Sequence, residues 1–182
     1  GAGKTSFILK TIYGLKDKYS IGVIEGDIAS TVDAEKIKET KVPVIQINTG
    51  GACHLDANMI SKSLGHFDLP EIDLMIIENV GNLVCPAEFN LGENLRVGIL
   101  SIPEGDDKPQ KYPLIFSEVD VLIINKIDLL ELSNFQMEKV YSDVKALNNN
   151  IHIINVSCLK DIGVDEWLNW LKLEIEKYKE KC

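Results

Sequence analysis

A doubly wound, mostly parallel α/β sheet is the fold this sequence predicts, on three observations. Short β-branched runs alternate with longer helical patterns along the chain. The short runs are continuously apolar, as expected of strands covered on both faces by helices. The 182 residues, 45% of them hydrophobic, suffice for one substantial core and are too few for two ordinary domains. Residues 1–182 therefore read as a single α/β domain.

Taken in order, the opening "GAGKTSFILK" passes from small residues directly into an apolar helical pattern, predicting a helix over Lys4–Tyr19. The strand "IGVIEG" at 21–26 follows, then a helix over Val32–Glu39 and the strand "VPVIQIN" at 42–48. A helix over Leu55–Leu64 leads to the strands "IDLMIIEN" at 72–79 and "LRVGILSI" at 95–102. "PEGDDKPQKYP" at 103–113 has three prolines, several charges and no apolar period, so it reads as a loop. An ordinary surface connection is the plainer account of that loop, and a mobile partner-binding loop the sharper one. The strand "VDVLIINK" at 119–126, a helix over Asn134–Leu147 and the strand "IHIINVS" at 151–157 come next. In the last helix, Val164–Lys179, the residues Val164, Trp167, Leu168, Leu171, Ile175 and Tyr178 recur every three or four positions as one apolar stripe. Trp167 is accordingly expected in the core, and the "EIEKYKEK" tail as a solvated face.

Composition narrows the function classes. A net charge of −9 argues against a broad nucleic-acid surface, because such affinity comes mostly from Lys and Arg neutralising phosphates. A nucleotide needs only a local positive site. No apolar run approaches the roughly 20 residues that span a bilayer. Cys53, Cys85, Cys158 and Cys182 are too scattered to form the staple framework of a small secreted domain, so a reducing cytoplasm is expected.

Gly3, Lys4 and Thr5 match the last three defined positions of the phosphate-loop pattern G-x-x-x-x-G-K-[ST]. The pattern's first glycine, and the strand that normally launches the loop, would lie before residue 1. The backbone N–H groups of Gly1, Ala2, Gly3 and the helix start through Ser6 suit phosphate oxygens, Lys4 adds positive charge, and Thr5 offers a hydroxyl to Mg²⁺. Half a motif is also a plain small-residue turn.

"VLIINKID" then places Asn125, Lys126 and Asp128 beyond a strand, where α/β sheets present ligand groups. This resembles the N-K-x-D guanine-recognition motif of GTPases. Asp128 would accept from the guanine ring N–H and exocyclic amine, Lys126 would lay its stem along the base, and Asn125 would tie the loop together. "VSCLKDIG" resembles the second base-binding element, in which a backbone N–H near Cys158 meets guanine O6 and Ser157 braces the loop. Three elements in the correct chain order favour GTP over an isolated polar turn.

"IIENVGN" supplies Glu78 and Gly81, close to the D-x-x-G metal and γ-phosphate element with Glu in place of Asp. Glu78 would hold Mg²⁺ directly or through water, with the Gly81 N–H near the γ-phosphate. "EGDIASTVDAEKI" puts Asp27 and Asp33 where an Mg²⁺-sensing switch is expected, although either alone reads equally as a helix cap or a solvated carboxylate. Hydrolysis would use Lys4 and Mg²⁺ against developing phosphate charge, with Asp27 or Asp33 positioning the metal or the attacking water.

"NTGGACHLDA" contributes Cys53 and His54, and Cys85 comes seven residues after Glu78. Thiolate and imidazole suit Zn²⁺, Ni²⁺ or copper ions rather than Mg²⁺ or Ca²⁺. Buried free cysteines are common, so the Cys-His pair carries little weight apart from its location: Cys85 follows the γ-phosphate element and Cys53 the preceding strand. A metal there would be coupled to nucleotide state.

The set "GAGKT", "EGDIASTVDA", "NTGGACHLDA", "ENVGNLVCPAEFNLGE" and "NKID", in that order, closely resembles the hydrogenase nickel-incorporation GTPases of the HypB type, over nearly the whole chain. The resemblance implies a SIMIBI-type GTPase domain that helps deliver Ni²⁺ to maturing nickel-iron hydrogenase and forms a homodimer when GTP binds. It implies a hydrogenase maturation partner and the hydrogenase large subunit as partners, and nickel or zinc on Cys53, His54 and Cys85 near a dimer interface. The related urease GTPases share "TGG" but carry Cys-Pro-His where this chain has Cys53-His54. The rival readings are a GTPase chaperone for another enzyme such as urease and a non-hydrolysing metal-storage scaffold. His66 and His152 read as structural or exposed, and Cys182 as a bystander at the frayed end.

Overall fold

Each of the six predicted strand runs contains a strand. The computed structural model describes residues 1–26 and 31–180, with the side chains of 31–34 outside that description. The chain divides into two units, Gly1–Lys4 with Glu93–Trp167 and Thr5–Gly92 with Leu168–Cys182.

In the unit containing Thr5–Gly92, β1 (Ile21–Glu25) lies between β2 (Val44–Gln46) and β3 (Leu74–Glu78), all parallel. β1 is buried at every position, Glu25 included, as suits a central strand that is apolar at its other positions. The register pairs Ile24 with Ile45 and Ile77 and brings two carboxylates level, Glu25 beside Glu78. The helices are α1 (Lys4–Leu15), α2 (Thr31–Glu39), α3 (Ala57–Leu64) and the short α4 (Cys85–Glu88). α1 buries Phe7, Ile8, Thr11, Ile12 and Leu15, a stripe at helical spacing. α3 starts two residues later than predicted because Asp56 caps it, Oδ1 accepting the Met59 N–H at 2.8 Å. Ile24, Leu55 and Ile60 form a buried cluster here.

In the unit containing Glu93–Trp167, β5 (Val121–Asn125) lies between β4 (Val97–Ser101) and β6 (His152–Asn155), again all parallel. The core joins Leu100, Leu122, Ile124 and Ile151 to Phe116, Val140 and Val144. The last two lie four residues apart on α7 (Met137–Leu147), which begins three residues inside the predicted helix. α8 (Val164–Lys179), whose residues from Leu168 belong to the other unit, has the predicted limits, and Val164, Trp167, Leu168, Leu171 and Ile175 are all buried.

The predicted loop at 103–113 is corrected: it contains helical turns, with a 3₁₀ turn at Ile102–Glu104, α5 (Lys108–Lys111) and the start of α6 (Pro113–Glu118). Pro103, Pro109 and Pro113 each occupy the first turn of one of these pieces, where the missing N–H would have had no partner in any case. Glu104 Oε2 accepts from both the Ser101 N–H and hydroxyl at 2.8 Å, closing a capping box. Prolines that read as breakers therefore act as starters. Among the described residues, no helix is long and apolar enough to cross a membrane.

Candidate functional site

The carboxyl end of β5 carries Asn125, whose side chain is 2% exposed and engaged at both ends. Its Nδ2 donates to Ala2 O at 2.9 Å, while Oδ1 accepts the Lys126 N–H at 2.8 Å and the Cys158 N–H at 3.4 Å. One amide thus joins the opening loop, the strand end and the loop after β6. Gly3 permits the approach: it has φ +91°, and a Cβ there would come 2.6 Å from Asn125 Nδ2. Lys126 follows in a left-handed conformation, φ 63° and ψ 37°, which a non-glycine residue adopts at a cost and which concentrates at functional sites. Its Nζ donates to Gly1 O at 2.6 Å. The Ser157 hydroxyl donates to Asp128 Oδ1, which fixes the carboxylate at the head of the 3₁₀ helix Ile127–Leu132. Gly1, Ala2, Gly3, Asn125, Lys126, Asp128, Ser157 and Cys158 are therefore brought together in one unit, with backbone donors, a cation and a braced carboxylate.

In the other unit, Thr5 Oγ1 donates to the two carboxylate oxygens of Glu78 at 3.3 and 3.4 Å, long contacts that leave room for another oxygen-seeking group. A hydroxyl and a carboxylate converging this way fit the oxygen donor set of Mg²⁺. Lys4 opens α1, half-buried, and Ser6 is exposed on it. Gly81 is exposed in the turn after β3. Asp27 and the side chain of Asp33 lie outside the described residues, as does Cys182.

The Cys53, His54 and Cys85 donor atoms all lie within 4.8 Å of one another, the one such group of three among the described residues. Cys53 Sγ donates to Cys85 Sγ at 2.9 Å and lies 3.6 Å from His54 Nδ1. The hydrogen bond to Cys85 holds the Cys53 thiol above its ordinary pKa, with loss of solvation and then repulsion from a neighbouring thiolate acting in the same direction. Two sulfur donors and an imidazole nitrogen this close together fit a divalent cation of borderline softness, Ni²⁺ or Zn²⁺. His66 and His152 are not members of this group: His66 Nδ1 is 3.2 Å from Lys62 O, and His152 is part of β6.

Two features of the site escaped the sequence reading. The His54 ring stacks on Phe89, with centroids 3.9 Å apart and planes 11° apart, which sets the direction of the imidazole. Asn79 Oδ1 accepts the Leu55 N–H at 3.0 Å, joining β3 to the loop that bears Cys53 and His54. No pattern within either segment signals these contacts; only their being neighbours of Glu78 and Cys85 could have drawn attention to them.

Parallel α/β sheets whose strand ends carry these groups define a phosphate-loop nucleotide-binding protein. The chain belongs to the CobW/HypB/UreG family, matching its nucleotide-binding domain over residues 1–155, and to the HypB branch of it. It is 45% identical over 174 residues to the hydrogenase maturation factor HypB of Escherichia coli (strain K12), covering 96% of this chain and 60% of that protein. It is 40% identical over 179 residues to the probable hydrogenase maturation factor HypB of Methanocaldococcus jannaschii, covering 98% and 81%. The crystal structure of HypB from Helicobacter pylori in complex with nickel superposes with a TM-score of 0.91 at 37% identity, covering 98% of this chain and 84% of that one. The chain thus spans about three fifths of the length of the Escherichia coli relative.

Proposed function

We propose that this protein is a GTP-binding and GTP-hydrolysing metallochaperone that assists nickel insertion into nickel-iron hydrogenase and dimerises when GTP binds. The observation that carries the reading is the Cys53, His54 and Cys85 cluster, a donor set suited to Ni²⁺. Cys85 lies on the segment that follows Glu78, a carboxylate already in contact with Thr5, and Cys53 and His54 lie on the loop after β2. A nucleotide-responsive strand end and one donor of the nickel set then share one stretch of chain, and the other two donors meet it there.

In this reading, Asp128 accepts from the guanine ring N–H and amine, and the Lys126 stem lies along the base. Asn125, Ser157 and the Cys158 N–H shape that pocket. Gly1, Ala2, Gly3, Lys4, Thr5 and Ser6 supply phosphate contacts, with the Gly81 N–H directed to the terminal phosphate. Thr5 and Glu78, with Asp27 or Asp33, hold Mg²⁺, which when bound offsets negative charge developing on the phosphoryl oxygens. The Ni²⁺, or Zn²⁺ in its place, is cargo on Cys53, His54 and Cys85. Among the described residues one chain offers three donors within reach of one another, and a second copy completes the coordination. Hydrolysis serves as a timer for assembly with a hydrogenase maturation partner and the hydrogenase large subunit, and this requires the GTP and GDP states to differ in affinity for metal or partner.

Phosphate release by the full-length protein, with and without Mg²⁺, is the direct test, paired with Ni²⁺ titration of Cys85→Ala. Mg²⁺-dependent release of phosphate from GTP is expected, with Ni²⁺ binding weakened in the variant and GTP binding kept. Binding of both GTP and Ni²⁺ without phosphate release would identify a storage scaffold instead. Undiminished Ni²⁺ titration of Cys85→Ala would overturn the ligand set.

A further inference from the structure

Cys53 and His54 lie on the loop between β2 and α3, so the positions of their donor atoms depend on what grips that loop. Its far end is anchored by Leu55, whose side chain is fully buried with Ile24 and Ile60. The Leu55 N–H is held by Asn79, the residue directly after Glu78. The same Asn79 Oδ1 that accepts from Leu55 at 3.0 Å also accepts the Val80 N–H at 2.8 Å. A single oxygen therefore bridges the backbone leaving β3 and the backbone leaving His54. Asn82, next to Gly81, adds a longer tie, its Nδ2 donating to Cys53 O at 3.4 Å while Oδ1 accepts the Val84 N–H at 2.9 Å.

From this we infer that Asn79 is a positioning residue that transmits the nucleotide state felt at Glu78 and Gly81 to the Cys53–His54 pair, with Asn82 as a weaker second tie. The inference rests on the nickel-chaperone reading above. Its physical content is geometric. An acceptor shared by two backbone N–H groups lets neither segment shift by an ångström without dragging the other or losing a hydrogen bond. Movement of residues 79–81 with the terminal phosphate is thereby delivered to Leu55, one residue from the His54 ligand. Asn82 bonds the neighbouring carbonyl in the same sense, but at a distance that makes the bond weak.

The two asparagines use different atoms, and this yields a selective test. Asn79 acts through its carbonyl oxygen, which Asp retains and Leu lacks. Asn82 reaches Cys53 through its amide N–H, which Asp lacks. The measurement is Ni²⁺ affinity of the full-length protein by chelator competition, at saturating Mg²⁺ with GDP and again with a non-hydrolysable GTP analogue. The nickel–thiolate absorption band is recorded in both states. In Asn79→Leu the ratio of the two affinities is expected to fall by about fivefold, the share one neutral hydrogen bond can carry, or to one where the wild-type ratio is smaller. The difference between its absorption bands in the two nucleotide states should shrink along with that ratio. Asn79→Asp should keep both the ratio and the band difference, and Asn82→Asp should lower the ratio by about twofold.

A wild-type ratio in Asn79→Leu overturns the inference, as does equal loss in Asn79→Leu and Asn79→Asp, since the shared acceptor would then not be the cause. Should Asn79→Leu fail to fold, the contrast between Asn79→Asp and Asn82→Asp still decides, and an unaltered ratio in Asn82→Asp together with a lost one in Asn79→Asp overturns it. A wild-type protein with equal Ni²⁺ affinity in both nucleotide states sinks the chaperone reading itself and this inference with it, an outcome distinct from failure of the tie alone.

Discussion

Replacing Asn125 by Ala tests whether one buried amide holds the strand end of β5 to the loops around it. The side chain is 2% exposed and makes two well-placed hydrogen bonds, to Ala2 O at 2.9 Å and from the Lys126 N–H at 2.8 Å, with a long third from the Cys158 N–H at 3.4 Å. Each good neutral bond contributes about 1 kcal/mol net, and partners left unpaired in a buried site cost about 1–3 kcal/mol more. Truncation should therefore destabilise by about 2–4 kcal/mol. With a urea slope of about 2 kcal/mol per molar, the unfolding midpoint falls by about 1–2 M. Equilibrium urea unfolding followed by circular dichroism measures this without nucleotide, so the result does not depend on the proposed activity. Asn125→Asp keeps the acceptor and loses the donor to Ala2, and should fall between the two. A loss below about 0.5 kcal/mol in Asn125→Ala would refute the reasoning, because solvent or neighbouring groups would then be replacing the amide at no cost.

Asp128→Asn should weaken GTP binding by about 100-fold, since a charged acceptor for two guanine donors is lost, and should raise affinity for xanthosine triphosphate, whose C2 carbonyl accepts an amide N–H. Competition against a fluorescent guanine nucleotide reads both. Gly163→Ala should cost about 2–5 kcal/mol in thermal or urea unfolding, because φ is +69° and the added Cβ would come 2.0 Å from Asn155 O; retention of wild-type stability would mean the turn can refold around it. Asp73 is held below its ordinary pKa by Lys179, 2.6 Å away, and then by the Ser20 N–H. Because its folded pKa is depressed, its stabilising effect is complete above the unfolded value of 3.8 and is lost as pH falls through the lower folded value. Asp73→Asn should flatten that part of the acid limb of a stability–pH curve, and an unchanged limb would show that the pair contributes nothing.

Much of the fold was legible because buried parallel strands announce themselves: "IGVIE" and "VLIIN" are apolar at almost every position, and both are buried throughout. The apolar stripe of α8 has the same clarity, since helical spacing is a local property. The region 103–113 was misread because proline has two opposite meanings, and only the backbone shows that Pro103, Pro109 and Pro113 each start a turn. The left-handed Lys126 was equally hidden: its identity is plain in "NKID", but its conformation follows from the bonds that Asn125 and Lys126 make to Ala2 and Gly1.

By itself the amino-acid order determined the six strands, the longer helices and the chemical types present, because periodicity, strand burial and contiguous motifs such as "NKID" act over a few residues. The meeting of side chains distant along the chain was decided by tertiary structure. Cys53 and Cys85 are 32 positions apart, and their sulfurs meet because the loops after β2 and β3 close together. Asn79 bonds Leu55 across 24 positions for the same reason. Strand register and loop closure are sums over many weak contacts across the whole core, and no short stretch of sequence contains them.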